Sequence, residues 1–269
     1  MTKIACIQMN SGENWKTNMR DAISLASQAA QLGAKLIALP ENVLAMLENA
    51  DDIGKLPITE MMTTYLQALH DLTKEYGCAI MGGTLPFPIA KEKTFHNRAY
   101  LMTDNGHVFY DKIHLCDITL PSGQSLNESR RYKSGNLMTV ADTPAGKLGL
   151  TICYDLRFPQ LFRALAKKGA EIITVPSAFT QVTGEAHWHT LLKARAIENG
   201  CYIIAPAQTG KHPGSRETYG HALIVDPWGT VLADAGESTG VVYADIDLAH
   251  LKNVRRKIPS LEHDRVFGD

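Results

Sequence analysis

The sequence has no C-x-x-C pair, no apolar run approaching the roughly 20 residues that span a bilayer, and almost no excess of either charge. Its 27 lysines and arginines against 28 aspartates and glutamates leave a formal net charge of -1, so no general field draws it to nucleic acid or an anionic membrane. The five cysteines, Cys6, Cys78, Cys116, Cys153 and Cys201, are odd in number and scattered over 269 residues, which offers neither a disulfide framework nor a zinc ribbon. Residues 1–9 form a strand-like run interrupted at Asn10, too short and too poorly flanked for a signal peptide. A cytoplasmic protein with no membrane and no nucleic-acid partner is the expectation. Hydrophobic residues at 45% are ordinary for a folded chain, and one of this length buries enough surface to need neither disulfide nor metal.

Short apolar strands alternate with amphipathic stretches. Residues 4–9 read as a strand, and Asn14 is placed to cap a helix whose apolar positions Met19, Ile23, Ala26 and Ala30 recur at helical spacing until Gly33. Residues 35–39 read as a buried strand ended by Pro40, residues 60–76 as a second helix closed by Gly77, and residues 78–81 as another strand. Hairpins follow: 95–103 with 108–112 around Asp104-Asn105-Gly106-His107, then 137–141 with 147–152 around Pro144-Ala145-Gly146. Between them, residues 113–135 are polar and carry Pro, Gly and Ser, which predicts a long surface loop. Helices are expected over 158–168 and 187–199, and strands over 171–175, 201–205, 219–225, 230–233 and 241–246. The tail from Leu248 reads as a basic solvated face or a contact between copies. This pattern predicts a mixed α/β sheet system in one domain, 1–269, without linker or repeat.

Three stretches place a reactive side chain at or just after the end of a buried strand, where ligand sites of α/β sheets gather. They are Leu39-Pro40-Glu41-Asn42, Tyr110-Asp111-Lys112-Ile113-His114 and Leu150-Thr151-Ile152-Cys153-Tyr154-Asp155. A carboxylate, an ammonium and a thiol brought together make a set for nucleophilic catalysis, in which Lys112 favours the thiolate of Cys153 and Glu41 takes its proton as general base. Each residue alone has a plainer explanation. A cysteine after an apolar strand is usually a small buried hydrophobe, a lysine a solvated charge, and a glutamate after proline part of a turn. No His, Cys and carboxylate spacing supports a catalytic metal, and His187 and His189, two apart on a helix, face different ways.

At these residues the sequence resembles the nitrilase superfamily of carbon–nitrogen hydrolases, whose catalytic Glu, Lys and Cys occur in this chain order. Pro40-Glu41-Asn42 is similar to the family's Glu motif, Asp111-Lys112-Ile113-His114-Leu115 to its Lys motif, and Cys153-Tyr154-Asp155-Leu156-Arg157-Phe158-Pro159 to its Cys motif. The resemblance runs from Ile4-Ala5-Cys6-Ile7-Gln8-Met9 to His263-Asp264-Arg265. Within the family the chain looks closest to the deaminated glutathione amidase branch, on Lys112-Ile113-His114-Leu115-Cys116-Asp117, Pro176-Ser177-Ala178-Phe179, Gly184-Glu185-Ala186-His187-Trp188 and Tyr219-Gly220-His221. The resemblance implies a four-layer αββα sandwich that pairs into homodimers or higher homo-oligomers, a small-molecule substrate, and no cofactor or metal. One departure is Gly220-His221-Ala222, where alanine replaces a serine common in the family and a hydroxyl is lost.

The same resemblance implies a mechanism. Glu41 removes the proton of Cys153, the sulfur attacks an amide carbonyl, and the oxyanion is held by the Lys112 ammonium and the backbone N–H of Tyr154. A thioester forms on Cys153, and water activated by Glu41 releases the acid. Glu128, in Leu126-Asn127-Glu128-Ser129, matches the family's second glutamate and is expected to hold Lys112 or the substrate amide, the alternative being a solvated loop carboxylate. Ser177, Phe179 and Trp188 are expected to line the substrate pocket, with core packing as the alternative for Trp188. The leading expectation is an amidase acting on an α-keto-acid amide such as deaminated glutathione, yielding α-ketoglutarate and cysteinylglycine. Action on α-ketoglutaramate as an ω-amidase, nitrilase action and a catalytically silent scaffold are the alternatives. Arg130, Arg131, Arg195, Lys211 and Arg216 are the available cations for the substrate's carboxylates.

Overall fold

Burial on both faces of the first strand dictates a layered architecture. In β1 (Thr2–Met9), Ile4 and Cys6 join one apolar core while Ala5, Ile7 and Met9 join another, as a strand sandwiched between layers requires. The computed structural model describes residues 1–120, 123 and 125–265. After β1 come α1 (Trp15–Gln31), β2 (Leu36–Ala38), α2 (Ile58–Tyr76), β3 (Ala79–Pro88), β4 (Phe95–Thr103) and β5 (Gly106–Asp111). A small hairpin, β6 (Asp117–Thr119) and β7 (Ser125–Asn127), precedes β8 (Val140–Thr143), β9 (Gly146–Leu150), α3 (Pro159–Lys167) and β10 (Ile172–Thr174). The chain continues through α4 (Gln181–Asn199), β11 (Tyr202–Ala205), β12 (Ala207–Lys211), β13 (Glu217–Tyr219) and β14 (Leu223–Val225). It ends with β15 (Val231–Asp234), β16 (Gly240–Ile246) and α5 (Leu248–Lys257).

Two mixed sheets stack face to face. The first has the order β13-β12-β1-β2-β3-β4-β5, with β16 running antiparallel along β1; the second has the order β15-β14-β11-β10-β9-β8. Parallel strands form the middle of each: β1, β2 and β3 in one, and β9, β10 and β11 in the other. On the outer face of the first sheet, Ala22, Ala26 and Ala29 of α1 and Met61, Tyr65 and Leu69 of α2 pack with Ile7, Ile37 and Ile80. Helices α3 and α4 cover the second sheet with Phe162, Leu165, Trp188 and Leu192. Between the sheets, the Cys6 sulfur reaches the Leu223 carbonyl at 3.8 Å. Helix, sheet, sheet and helix make the αββα sandwich that the resemblance implied. No helix among the described residues is long and apolar enough to cross a membrane.

Local signals decide most helix ends. Asn14 accepts from the N–H groups of Lys16 and Thr17, and Gly77 and Gly200 close α2 and α4 in the left-handed region. Three readings need correction. Helix α4 starts six residues before the expected 187, because the Thr180 side chain caps it. The tail from Leu248 is an amphipathic helix capped by Asp247, with Leu251 and Val254 buried and Arg255 donating to the Gly200 and Ala170 carbonyls. The stretch 113–135 is no mere surface loop: it carries the β6–β7 hairpin and a turn over Glu128–Arg130, from which Glu128 alone reaches inward to Lys112. Of that stretch, residues 121, 122 and 124 lie outside the described set.

Candidate active site

Three strand ends converge at one end of the sandwich. After β2, Pro40 breaks the strand and Asn42 takes a positive φ of 54°, its N–H donating to Thr84 Oγ1 at 3.0 Å. Strand β3 bulges between Met81 and Thr84, and Gly83, at φ +70°, lets the Pro40 carbonyl lie where a Cβ would otherwise stand. Glu41 is thereby turned inward. Lys112 follows β5, its N–H donating to the Asn97 carbonyl at 3.0 Å. One residue earlier, Asp111 is bridged by both arms of Arg98 at 2.6 and 2.8 Å, with the guanidinium between the rings of Phe87 and Phe109.

Cys153 follows β9 and opens a tight turn, Cys153–Arg157, at a φ of 47°. A non-glycine residue in that region persists only when its surroundings hold it there. Two restraints are visible: the Cys153 N–H donates to the Pro176 carbonyl at 3.0 Å, and fully buried Asp155 ties the turn together. The Asp155 carboxylate accepts from the Ile152 N–H at 2.9 Å, the Tyr110 hydroxyl at 2.8 Å and the His114 N–H at 3.0 Å, with His114 Nδ1 at 2.7 Å. Asp155 therefore pins the cysteine turn of the second sheet to the lysine segment of the first.

The four expected polar groups meet. Lys112 Nζ lies 3.0 Å from Glu41 Oε1 and 3.0 and 2.8 Å from the two oxygens of Glu128. The Cys153 thiol lies close enough to the Glu41 carboxylate to favour its ionised form. Glu41 also accepts from the Ala178 N–H at 2.9 Å and from Asn97 Nδ2 at 2.9 Å, and Glu128 accepts from the Cys116 N–H at 2.7 Å. Asn97 bridges the two glutamates, reaching Glu128 at 3.2 Å.

Electrostatics set the resting protonation. Burial opposes the charge of Glu41, yet the adjacent Lys112 ammonium and the neighbouring Cys153 thiol hold its carboxyl below the ordinary value. Burial opposes Lys112 as well, but Glu128 and Glu41 carry its pKa well above the lysine norm. For Cys153, burial and then the Glu41 charge push the thiol well above its ordinary value, and Lys112 only partly offsets them. Lys112 was expected to favour a thiolate. With two carboxylates already neutralising its charge, the resting nucleophile is instead a neutral thiol facing a carboxylate.

A crevice of about 1090 Å³, counting its open mouth, lies over these groups. Ile118, Leu126, Arg131 and Tyr132 from the segment after Lys112 form one wall, and Phe179 and Arg216 stand across from residues of the Glu41 turn. Phe179 thus lines the crevice. Ser177 and Trp188 do not: Ser177 is fully buried and donates to the Val175 carbonyl at 3.0 Å, and Trp188 backs Phe179 with its indole N–H on the His221 carbonyl at 2.8 Å. Among the proposed cations, Arg131 and Arg216 reach the crevice, whereas Arg195 is tied to the Leu156 carbonyl and Glu198, and Arg130 and Lys211 are exposed elsewhere. Arg157 also lines the crevice beside the Tyr154 and Phe179 rings. The Arg216 Nε is buried without a partner.

Sequence reasoning missed Asn97 and Asp155. An acid two residues past a strand-end cysteine, inside an apolar run, was a usable signal for Asp155. Asn97 gave none, since it stands mid-strand and 56 residues from Glu41.

A thiol, two carboxylates and an ammonium in a half-open crevice of an αββα sandwich are the groups a hydrolase working through a nucleophilic sulfur requires. The carbon-nitrogen hydrolase family model matches residues 3–256, and the chain belongs to that family, whose members hydrolyse carbon–nitrogen bonds. It is 42% identical over 268 residues to a deaminated glutathione amidase of Synechocystis, covering 98% of this chain and 97% of that one. It is 40% identical to the Homo sapiens deaminated glutathione amidase, over 97% of this chain and 82% of that one. The C. elegans NitFhit protein superposes with a TM-score of 0.92 at 36% identity, covering 98% of this chain and 65% of that one, so this chain spans about two thirds of it. Saccharomyces cerevisiae Nit3, of the nitrilase superfamily, gives 0.83 at 31% identity, covering 96% of this chain and 94% of that one.

Proposed function

We propose that the protein is an amidase that cleaves an α-keto-acid amide, foremost deaminated glutathione, to α-ketoglutarate and cysteinylglycine through a thioester on Cys153. The observation that carries the reading is Lys112 held between Glu41 and Glu128 beside the Cys153 thiol in one crevice. As the sulfur attacks the amide carbon, its proton passes to Glu41. The oxyanion takes an N–H of Lys112 and the backbone N–H of Tyr154, which stands at the start of a tight turn where amides lack partners within the turn. Glu41 then gives the proton to the departing amine, and the C–N bond breaks. Water enters, gives a proton to Glu41 and attacks the thioester carbonyl; collapse returns that proton to the sulfur and frees the acid. Glu128 holds Lys112 in line throughout.

Substrate charge supports the choice. Arg131, Arg157 and Arg216 line the crevice and supply cations for the substrate's carboxylates. Arg216 is the foremost of these, because a carboxylate would satisfy its otherwise unpartnered Nε. The five cysteines are all unpaired, which supports a reducing, cytoplasmic setting. The chain pairs as a homodimer in this reading, supported by large apolar side chains such as Ile197 and Trp228 left on the surface.

Rates with deaminated glutathione, α-ketoglutaramate and a simple nitrile, measured side by side for the native protein and for Cys153→Ala, test the proposal. Deaminated glutathione should turn over fastest, and the variant should be folded and inactive with no acyl adduct by intact mass. Equal or faster cleavage of α-ketoglutaramate overturns the substrate, and turnover by Cys153→Ala overturns the mechanism.

A further inference from the structure

Outside the crevice, three side chains that hydrolysis does not use converge. His189 projects from α4, His221 sits in the turn between β13 and β14, and Asp234 ends β15. His189 Nε2 lies 3.0 Å from Asp234 Oδ2, and His221 Nδ1 lies 2.9 and 3.2 Å from the two Asp234 oxygens. One ligand atom from each residue falls within 4.8 Å of the other two. None of the three lines the hydrolytic crevice.

These spacings are near those of an ion site. With bonds of roughly 2.0–2.2 Å, tetrahedral zinc holds its ligand atoms about 3.3–3.6 Å apart. The separations to Asp234 lie a few tenths of an ångström below that range and the two imidazole nitrogens within 4.8 Å of each other, so an ion could replace the shared protons with a modest shift of the side chains. The surroundings also fix the ligands. The Gly236 N–H donates to Asp234 Oδ1 at 2.8 Å, and the Tyr219 ring stacks on His221 at 4.5 Å and meets His189 edge-on. His221 itself is held at a φ of 54° by two bonds, its N–H on the Gly236 carbonyl and its carbonyl under the Trp188 indole. Such backbone strain, held from both sides, is common at ligand clamps. The three side chains are each 23–33% exposed, so an ion can enter from solvent and keep a water ligand.

We propose that His189, His221 and Asp234 form a binding site for a divalent transition-metal ion of the zinc class, which fastens α4 to the β14–β15 hairpin. Two imidazoles and a carboxylate select zinc, nickel or copper over magnesium or calcium. The site is structural rather than hydrolytic, and it stands independently of the proposed substrate.

Chelator-treated protein, titrated with Zn2+ by calorimetry and with Co2+ by visible absorption, tests this directly. One ion per chain is expected, with a cobalt spectrum lacking thiolate charge transfer and a Tm that rises on adding Zn2+. His189→Ala should weaken zinc by about 100-fold or more, beyond what losing a mere supporting group costs. Asp234→Asn should weaken it too, while Cys153→Ala should bind like the native protein; circular dichroism checks that each variant is folded. Equal binding by the native protein and His189→Ala, a thiolate cobalt spectrum, loss of binding in Cys153→Ala, or no binding at all would each leave a hydrogen-bonded triad only and overturn the site.

Discussion

Lys112 has three protons to give, and Glu41 and Glu128 take its charge from either side while leaving it free to meet an oxyanion. Replacing Glu128 by Gln removes one charge-assisted contact, worth about 1.5–3 kcal/mol, and kcat should fall about 10- to 150-fold with the thermal midpoint little changed. The pH profile follows from the same charges. In the proposed mechanism Glu41 must be ionised to accept the thiol proton, and its pKa is depressed, so activity should fall only below the ordinary glutamate value of 4.5. Lys112 must stay charged and its pKa is raised, so the alkaline limb should lie above 10.5. Between them kcat/KM should be flat, and a rise setting in only above the ordinary thiol value of 9.0, where the raised Cys153 thiol would ionise, would show that a free thiolate is needed after all. Stability obeys the same signs: the Glu41 contribution is lost as pH falls through its lowered value, the Lys112 contribution as pH rises through its raised one. Glu41, Lys112 and Cys153 were legible because each ends an apolar strand within an ordered motif. Their partner Glu128 was legible only through the family resemblance, and Asn97 was not legible at all, because it becomes a neighbour only in three dimensions.

At the scale of elements, the glutamate turn depends on a bulge it does not belong to. Ala at position 83 would sit at positive φ and press on the Pro40 carbonyl. Strain and overpacking together should cost about 2–4 kcal/mol, read as a lowered Tm, and should displace Glu41 enough to cut kcat at least as sharply as Glu128→Gln. An unchanged Tm and kcat in Gly83→Ala would show that the approach is not needed. Element positions were largely readable from caps and apolar spacing, as Asn14, Gly77 and Gly200 show. The readings slipped where tertiary contacts override local signals: Thr180 starts α4 ahead of its apolar face, and the charged α5 is helical because Leu251 and Val254 find the core.

At the scale of the whole molecule, the proposed catalytic groups are divided between the sheets. Glu41 and Lys112 follow strands of the first, and Cys153 follows a strand of the second. Strand alternation shows layering, but only the family resemblance told how many layers, since two-sided burial is common to several α/β stacks. Strand order was not legible either: β16, from the far end of the chain, pairs with β1 from Thr2 to Gln8. During synthesis β1 leaves the ribosome more than two hundred residues before the partner of that edge. Nascent chains should therefore carry an open, largely apolar border until β16 has been made, and a premature stop before Gly240 should yield insoluble product, scored by sedimentation of the truncated chain against the intact one.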